Sequence, residues 1–203
     1  MRVALIGASG KAGSRILDEL LRRGHQVTAI ARTAERLPTK PGVTAKRGDA
    51  SDPEMLAPLL AGHDAVISAT RFTSTDPRAL VAAVKRAAVP RFLVVGGAGS
   101  LVTASGVQVV DAPDFPAAHK PESLAGREFL KLLRAEPALD WTFLSPSAAF
   151  APGTRTGKFR LGGDDLLVDA SGGSAISMED FAIALVDELE TPRHARRRFT
   201  VGY

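Results

Sequence analysis

The stretch RVALIGASGKAG, residues 2–13, decides the fold of this chain. Its apolar beginning predicts a short buried strand, and the residues that follow it up to position 23 predict a helix. Between the two, Gly7, Gly10 and Gly13 predict a tight turn, because glycine accepts positive φ and lets the backbone approach a ligand closely. The free N–H groups at the start of the helix then make this turn an anion site.

The place of the turn indicates which anion binds there. In α/β folds the first strand-to-helix turn is where a dinucleotide pyrophosphate binds. The alternative is a glycine-rich turn without a ligand. The spacing of the glycines between a strand and a helix favours the dinucleotide.

Composition narrows the class of protein. The 203 residues, 45% of them hydrophobic, suit one α/β domain. With no cysteine and four scattered histidines, we expect no disulfide and no metal site. No apolar stretch approaches the roughly 20 residues of a membrane span, and the N-terminus starts a strand instead of a signal peptide. We therefore expect a cytoplasmic protein without a membrane partner.

The basic charge has two interpretations. The net charge of +4 and pI of about 9.8 would suit nucleic-acid binding. Much of the excess, however, is in an arginine cluster near the C-terminus, and a single Trp and a single Tyr offer little for base stacking. We expect a solvated cluster and a polyanionic cofactor, with no nucleic acid and with a monomeric or homodimeric state.

Strands and helices alternate along most of the chain. Further strands are predicted at residues 26–30, 43–46, 64–68, 91–95 and 141–144, and helices at 53–60, 77–89 and 121–134. Residues 96–118 are expected to be irregular. This order predicts a Rossmann-like, doubly wound α/β fold with a parallel sheet covered on both faces.

The last quarter of the chain has a different pattern. Residues 153–167 alternate like a hairpin, Ser177 begins a capping box for a helix through residue 189, and residues 198–201 predict a final strand. We expect a single domain, residues 1–203. Residues 146–180 are expected to form a small substrate lobe over the cofactor end of the sheet.

The end of the second strand indicates which dinucleotide binds. NAD-specific folds place an acidic residue there, about 20 residues past the glycine turn. Here Arg32 stands in its place, followed by Thr33, and Lys11 adds a second cation. A guanidinium binds phosphate through two parallel hydrogen bonds. This favours NADP(H), with NAD(H) as the alternative if Arg32 is only a solvated surface residue.

Several motifs resemble one family. The glycine turn, GDA at 48–50, VISA at 66–69 and VVGGAGS at 94–100 are similar to atypical short-chain dehydrogenase/reductases. Segments at 140–143, 155–158 and 177–182 narrow the resemblance to the NAD(P)H-binding, NmrA-like set that includes NADH-flavin reductases and biliverdin/flavin reductase-like proteins. The resemblance covers nearly the whole chain and is specific for fold and cofactor, but poor for substrate.

The resemblance implies cofactor contacts at the carboxyl ends of the strands. The phosphates would bind at Gly7, Ser9, Gly10, Lys11, Ala12 and Gly13. The adenosine half and the ribose linkage would contact Asp49, Ala50, Ser68, Ala69 and Thr70. The nicotinamide side would meet Gly96, Gly97, Pro146 and Ser147. A local alternative also exists, because glycines can simply end a strand and hydroxyls can bond nearby backbone.

The chain departs from the larger superfamily at the proton donor. That superfamily uses Tyr-x-x-x-Lys, whereas the one tyrosine here is Tyr203. The comparable region offers His119, whose pKa range suits an acid or base, and Lys120, which could bind a ribose hydroxyl or phosphate. Both could equally be solvated residues at a helix start. Ser100 is a further candidate polar helper.

Loss of the tyrosine leads to three hypotheses. The first is an NADPH-dependent reductase that transfers hydride to a planar conjugated acceptor such as a flavin or quinone, a reaction that asks mainly for orientation of two rings. The second is a non-catalytic NADP(H)-sensing regulator, as the NmrA-like resemblance implies. The third is a sugar-nucleotide epimerase on the same scaffold.

Overall fold

The computed structural model describes residues 1–203 except for the side chain of Arg36. Eight strands form one sheet in the order β3-β2-β1-β4-β5-β6-β10-β8, and β7 and β9 form a separate parallel pair. The strands are β1 (Arg2–Ile6), β2 (Gln26–Ala31), β3 (Val43–Arg47), β4 (Ala65–Ser68), β5 (Phe92–Val95), β6 (Trp141–Pro146), β7 (Ala149–Ala151), β8 (Arg160–Gly162), β9 (Ala175–Ser177) and β10 (Arg197–Gly202).

Five α-helices cover the two faces of this sheet: α1 (Lys11–Arg22), α2 (Pro53–Leu60), α3 (Pro77–Arg86), α4 (Lys120–Arg134) and α5 (Met178–Glu190). One core cluster lies under α1 and α5, and the other lies under α2, α3 and α4. Because both faces are covered, β4 and β5 are buried at every residue and β1 at all but its first. The predicted Rossmann-like, doubly wound fold is confirmed.

Side-chain caps fix where three of these helices begin. Asp52 and Asp76 each accept a backbone N–H in the first turn of α2 and α3, ahead of a proline at the first helical position. Ser177 does the same for α5, where its Oγ accepts from the Asp180 N–H at 3.0 Å. Helix α1 differs, since its N-cap is Gly10 and no side chain caps it.

The hairpin expected at residues 153–167 is wrong. Strand β8 is the one regular strand in this segment, and it pairs antiparallel with β10 at the edge of the main sheet. The alternating pattern is that of an edge strand whose partner comes about 40 residues later in the chain, at Thr200. A two-residue period identifies a strand but not its partner, which explains the error.

Residues 152–158, called the strap below, have no regular secondary structure and are bonded to side chains of α1 and α5. Three carboxylates hold the strap. Arg155 makes two 2.9 Å bonds to the buried Glu19 of α1, and the Gly153 N–H donates to Glu179 at 2.7 Å. Asp180 accepts from the Thr156 N–H and from the Gly157 N–H, both at 2.8 Å.

No helix in the part of the chain that the structure describes is long and apolar enough to span a bilayer. Part of the region expected to form a lobe, residues 146–180, belongs to the main sheet as β8. The placement of this region over a cofactor stays a prediction.

Candidate functional site

The three glycines of the turn after β1 differ in what the structure requires of them. Gly7 has a φ of +82°, and a Cβ there would lie 2.6 Å from the Ala69 carbonyl oxygen. Gly13 packs α1 onto the turn, where a Cβ would lie 2.1 Å from the Gly7 oxygen. Gly10 is the N-cap of α1 and has an ordinary negative φ. The turn therefore requires glycine for its path and for close helix packing.

The start of α1 fits a phosphate group. The first N–H groups of a helix have no acceptor within the helix, and Gly10 brings no side chain to cap them. A ligand can approach this end closely, because Gly10 lines an open cleft. The exposed Lys11 adds a positive charge at the first helical residue. Together with the positive helix end, these groups suit a pyrophosphate.

A cleft of about 190 Å³ beside this turn brings most of the predicted adenosine-side residues together. It lies at the carboxyl ends of β1, β2, β3 and β4. The predicted residues that line it are Gly7, Ser9, Gly10, Arg32, Asp49, Ala50, Ala69 and Thr70.

The cleft also contains residues that the sequence analysis missed. Arg71, Ser74 and Thr75 line it from the loop after β4. Ile6, Ile30, Ala31 and Gly48 complete its floor. The apolar floor residues sit at strand ends, so their place could have been found from the strand boundaries. The loop after β4 carries no local motif that marks Arg71.

Other predicted cofactor residues lie next to the cleft without lining it. Lys11, Ala12 and Gly13 form the first turn of α1, and Thr33 is exposed directly after Arg32. Ser68 is buried, and its Oγ lies 3.1 Å from the Thr70 Oγ1. Their contact with a cofactor stays a prediction.

The nicotinamide side of the prediction corresponds to the ends of β5 and β6. Gly96 is buried, and a Cβ there would lie 2.4 Å from the Phe143 ring. Gly97 faces the ring of Phe72. These glycines let the chain after β5 pass close to its neighbours.

The end of β6 is buried as well. Pro146 is its last residue, and Ser147 directly follows it. The Ser147 hydroxyl donates to the Val201 carbonyl oxygen at 3.0 Å, which fixes it against β10. The backbone of these residues is thus held in place, while the Ser147 side chain already has a partner.

The two candidate catalytic side chains have different environments. Ser100 is buried, and its Oγ and its carbonyl oxygen both lie 3.4 Å from the guanidinium of Arg198. Arg198 in turn donates to Asp164 through Nε at 2.5 Å. Ser100 therefore has an interior partner, whereas His119 is exposed at the start of α4 together with Lys120. The catalytic roles of Ser100 and His119 and the cofactor-binding role of Lys120 stay predictions.

The single tyrosine has a structural role. The Tyr203 hydroxyl donates to Asp180 at 2.8 Å and accepts from the Ser177 N–H at 3.3 Å. Asp180 is fully buried, which would raise the pKa of its carboxyl group. Hydrogen bonds from Thr156, Gly157 and Tyr203 outweigh burial and lower that pKa below its usual value. Tyr203 thus anchors the chain end to α5.

A comparison with protein families decides the class of this site. The sequence model of a family described as NAD(P)H-binding matches residues 7–192, which begin at the first glycine of the turn. The chain belongs to this NAD(P)H-binding family. The resemblance to NAD(P)H-binding, atypical short-chain dehydrogenase/reductases is confirmed. The binding of a dinucleotide in the cleft stays a prediction.

Solved structures of relatives show how far this family assignment reaches. A protein from Burkholderia pseudomallei, named "putative exported protein", is 46% identical, covers 100% of both chains and has a TM-score of 0.90. One from Bacteroides thetaiotaomicron, named "putative epimerase", is 44% identical over 100% of this chain and 96% of its own, with a TM-score of 0.94. A third, from Streptococcus pneumoniae, is named "putative NADH-flavin reductase". It is 37% identical over 100% of this chain and 99% of its own, with a TM-score of 0.80.

These relatives of the NAD(P)H-binding family share one fold and carry different names. The fold is therefore common to the group, while the chemistry depends on the residues around each site.

Proposed function

We propose that this protein is an NADPH-preferring reductase that transfers hydride to a planar conjugated acceptor such as a flavin or quinone. The observation that carries the proposal is the place of Arg32. Its side chain lines the same cleft as the glycine turn, directly after β2, where NAD-specific folds have an acidic residue.

The charge at this position favours a phosphate over a bare ribose. An acidic side chain would repel a 2′-phosphate, whereas a guanidinium binds it with two charge-assisted hydrogen bonds. Arg32 is exposed, so it can meet the phosphate without a large desolvation cost. Asp49 lines the cleft on the β3 side, and its Oδ1 accepts the Ser51 N–H at 2.9 Å. This bond fixes the carboxylate beside the proposed adenosine position.

Orientation is the main task left to the protein. When bound, the reduced nicotinamide supplies the hydride, and a conjugated acceptor delocalises the arriving electron pair while solvent supplies the proton. Tyr203 is committed to Asp180, so it is not the proton donor of the larger superfamily. The relative from Streptococcus pneumoniae, with its flavin reductase name, supports this acceptor class.

The residues near the proposed acceptor have modest roles. The buried backbone at Gly96 and Pro146 keeps one side of the site rigid. His119 and Lys120 stand exposed at the start of α4, where they can bind or protonate a polar edge of the acceptor. We propose His119 and Ser100 as the polar helpers of the reaction, and Lys120 as a ligand of a ribose hydroxyl or phosphate.

The test is NADPH consumption by the purified protein with FMN, riboflavin and simple quinones, each against a protein-free control. Turnover well above background with one acceptor class is the expected result. A folded protein that binds NADPH but turns over no acceptor would instead support the cofactor-sensing alternative. Conversion of a sugar nucleotide without net cofactor consumption would support the epimerase alternative.

A further inference from the structure

A carboxylate on α4 joins two parts of the molecule that are 50 residues apart. The Glu122 side chain accepts the Phe72 N–H at 2.7 Å and the Thr73 N–H at 3.0 Å. It also accepts the Thr73 hydroxyl at 2.6 Å, and the Arg71 Nε lies 3.9 Å away. Residues 70–75, called the cleft loop below, are thus bound to the first turn of α4.

Packing strengthens this link on its apolar side. The Phe72 ring packs edge-on against Phe129 with centroids 6.0 Å apart, and it stacks on Phe143 at 6.1 Å. Gly126 makes room for it, since a Cβ there would lie 2.8 Å from the ring, whereas one at Gly97 would make an ordinary contact at 3.6 Å. Phe72 therefore fills the space between α4 and the end of β5.

The two linked parts belong to different ends of the proposed site. The cleft loop lines the adenosine cleft through Thr70, Arg71, Ser74 and Thr75. Helix α4 begins at Lys120, directly after His119. A movement of α4 against the cleft loop would change the distance between the cofactor and these side chains.

We propose that Glu122 is a positioning residue that holds the cleft loop and the start of α4 in one fixed arrangement, and so sets cofactor affinity. This inference rests on the proposed dinucleotide function. Glu122 acts through the backbone of Phe72 and Thr73 and does not touch the reacting atoms. Its carboxylate is suited to the task, because two N–H groups and a hydroxyl all donate to it.

Two substitutions separate this role from simple loss of charge. Glu122→Ala leaves two backbone N–H groups without their acceptor, which is costly wherever water cannot replace it. In Glu122→Gln the amide oxygen can accept one N–H, but the NH2 group then faces a second donor. The expected order of effect is therefore alanine, then glutamine, then wild type.

Two control variants come from the same helix region. Glu128→Gln removes an exposed charge on α4 that lies 3.9 Å from Lys131. Glu136→Gln removes a structural ion pair, since Glu136 accepts from Lys85 at 3.0 Å and from the Ala138 N–H at 2.9 Å. We expect Glu136→Gln to lower stability without changing the cofactor Kd, as a purely structural contact should.

The experiment measures amide hydrogen exchange at Phe72 and Thr73 and the Kd for NADPH and for NADH, on the full chain. For Glu122→Ala we expect about tenfold faster exchange or more at these two amides and an NADPH Kd raised about 5- to 20-fold. Both controls should keep the wild-type Kd. The urea midpoint of each variant shows that it is folded.

An unchanged NADPH Kd in a Glu122→Ala variant with fast exchange would overturn the positioning role. Unchanged exchange at both amides would overturn the link itself. If the wild-type protein bound neither dinucleotide, the proposed function would fail, and the exchange rates would still judge whether Glu122 holds the cleft loop.

Discussion

Arg32 is the side chain on which the proposed preference for NADPH rests. The strand before it, β2, ends in buried residues that any Rossmann-like sheet needs. The next position is exposed and free to vary. An acid there would favour a ribose diol, whereas the guanidinium of this chain favours a 2′-phosphate.

The first prediction follows from this position. Arg32→Ala should weaken NADPH binding about 10- to 100-fold, because a charge-assisted bond contributes about 1.5–3 kcal/mol. NADH binding should change little. Titration of cofactor fluorescence measures both constants. The control is Arg2→Ala, which removes a guanidinium from the end of β1 opposite the glycine turn. Equal losses for NADPH and NADH in Arg32→Ala would show that Arg32 does not bind the 2′-phosphate.

The second prediction concerns the turn itself. Gly13→Ala should destabilise the fold by about 1–3 kcal/mol or more, because its Cβ would lie 2.1 Å from the Gly7 oxygen, a backbone atom that cannot move alone. Urea unfolding measures this loss. Gly163→Ala is the matched control, since nothing lies within 4 Å of its Cβ. A Gly13→Ala variant as stable as this control would contradict the packing role.

Local sequence explains which site residues could be predicted. The glycine turn and Arg32 follow from strand–turn–helix geometry within the first 32 residues, so no distant partner is needed to recognise them. Arg71 and Thr75 line the same cleft but lie on a loop whose path depends on Glu122 of α4. Such a path is fixed by contacts across 50 residues, which no local pattern contains.

Among the elements, the strap shows how buried carboxylates replace regular hydrogen-bonded structure. Glu19 and Asp180 each hold one part of it. Burial alone would raise the pKa of Glu19, but bonds from Arg155 and Arg23 lower it below its usual value. Both carboxylates are therefore ionised at neutral pH, and the strap depends on their charge.

The third prediction is a pH dependence with a defined sign. The folded pKa of Asp180 is depressed, so its stabilising effect is complete above the ordinary value of about 4 and is lost as pH falls through the folded value. Asp180→Asn should be less stable at pH 7 and lose less stability on acidification. Thermal unfolding from pH 7 to pH 3 measures both.

Asp187→Asn serves as the control for that series. Asp187 lies on the same helix, but its side chain is exposed and pairs with Arg23 on the surface. It should keep the acid dependence of the wild type. An Asp180→Asn variant with the same acid dependence as Asp187→Asn would show that Asp180 is not the titrating group.

The elements themselves were predictable wherever both faces are covered. Strands β1, β4 and β5 are mostly apolar runs, and the starts of α2, α3 and α5 carry Asp-Pro or Ser caps. The prediction of a hairpin is wrong at β8, because an alternating pattern does not distinguish an edge strand from a hairpin. Its true partner, β10, follows α5 in the chain, and pairing over such a distance is set by the whole sheet.

On the scale of the whole molecule, the sheet is completed by the strand that comes last in the sequence. β10 lies inside the sheet between β6 and β8, and Phe199 and Val201 on it are buried. The Thr200 hydroxyl donates to the Ser145 carbonyl oxygen at 2.9 Å, which adds a polar link to β6. Strand β10 is thus an interior part of the fold.

The fourth prediction tests this arrangement. Removal of residues 192–203 should abolish cooperative urea unfolding, because it exposes the β6 edge and the apolar surface of α5. Removal of Tyr203 alone should cost only about 1–3 kcal/mol, since it deletes the donor to buried Asp180 but keeps β10. A cooperative transition in the longer truncation would show that β10 is dispensable.

The interior place of β10 also means that the sheet of a newly made chain stays incomplete until its last strand has been synthesised. Residues 147–196 separate β6 from β10, and at about 5–20 residues per second the ribosome needs roughly 3–10 seconds to deliver them. The glycine turn, Arg32 and the cleft are complete before that interval begins. Throughout it, the β6 edge lacks its neighbour and can pair with other chains. The β6 edge therefore stays open to mispairing until β10 has been made.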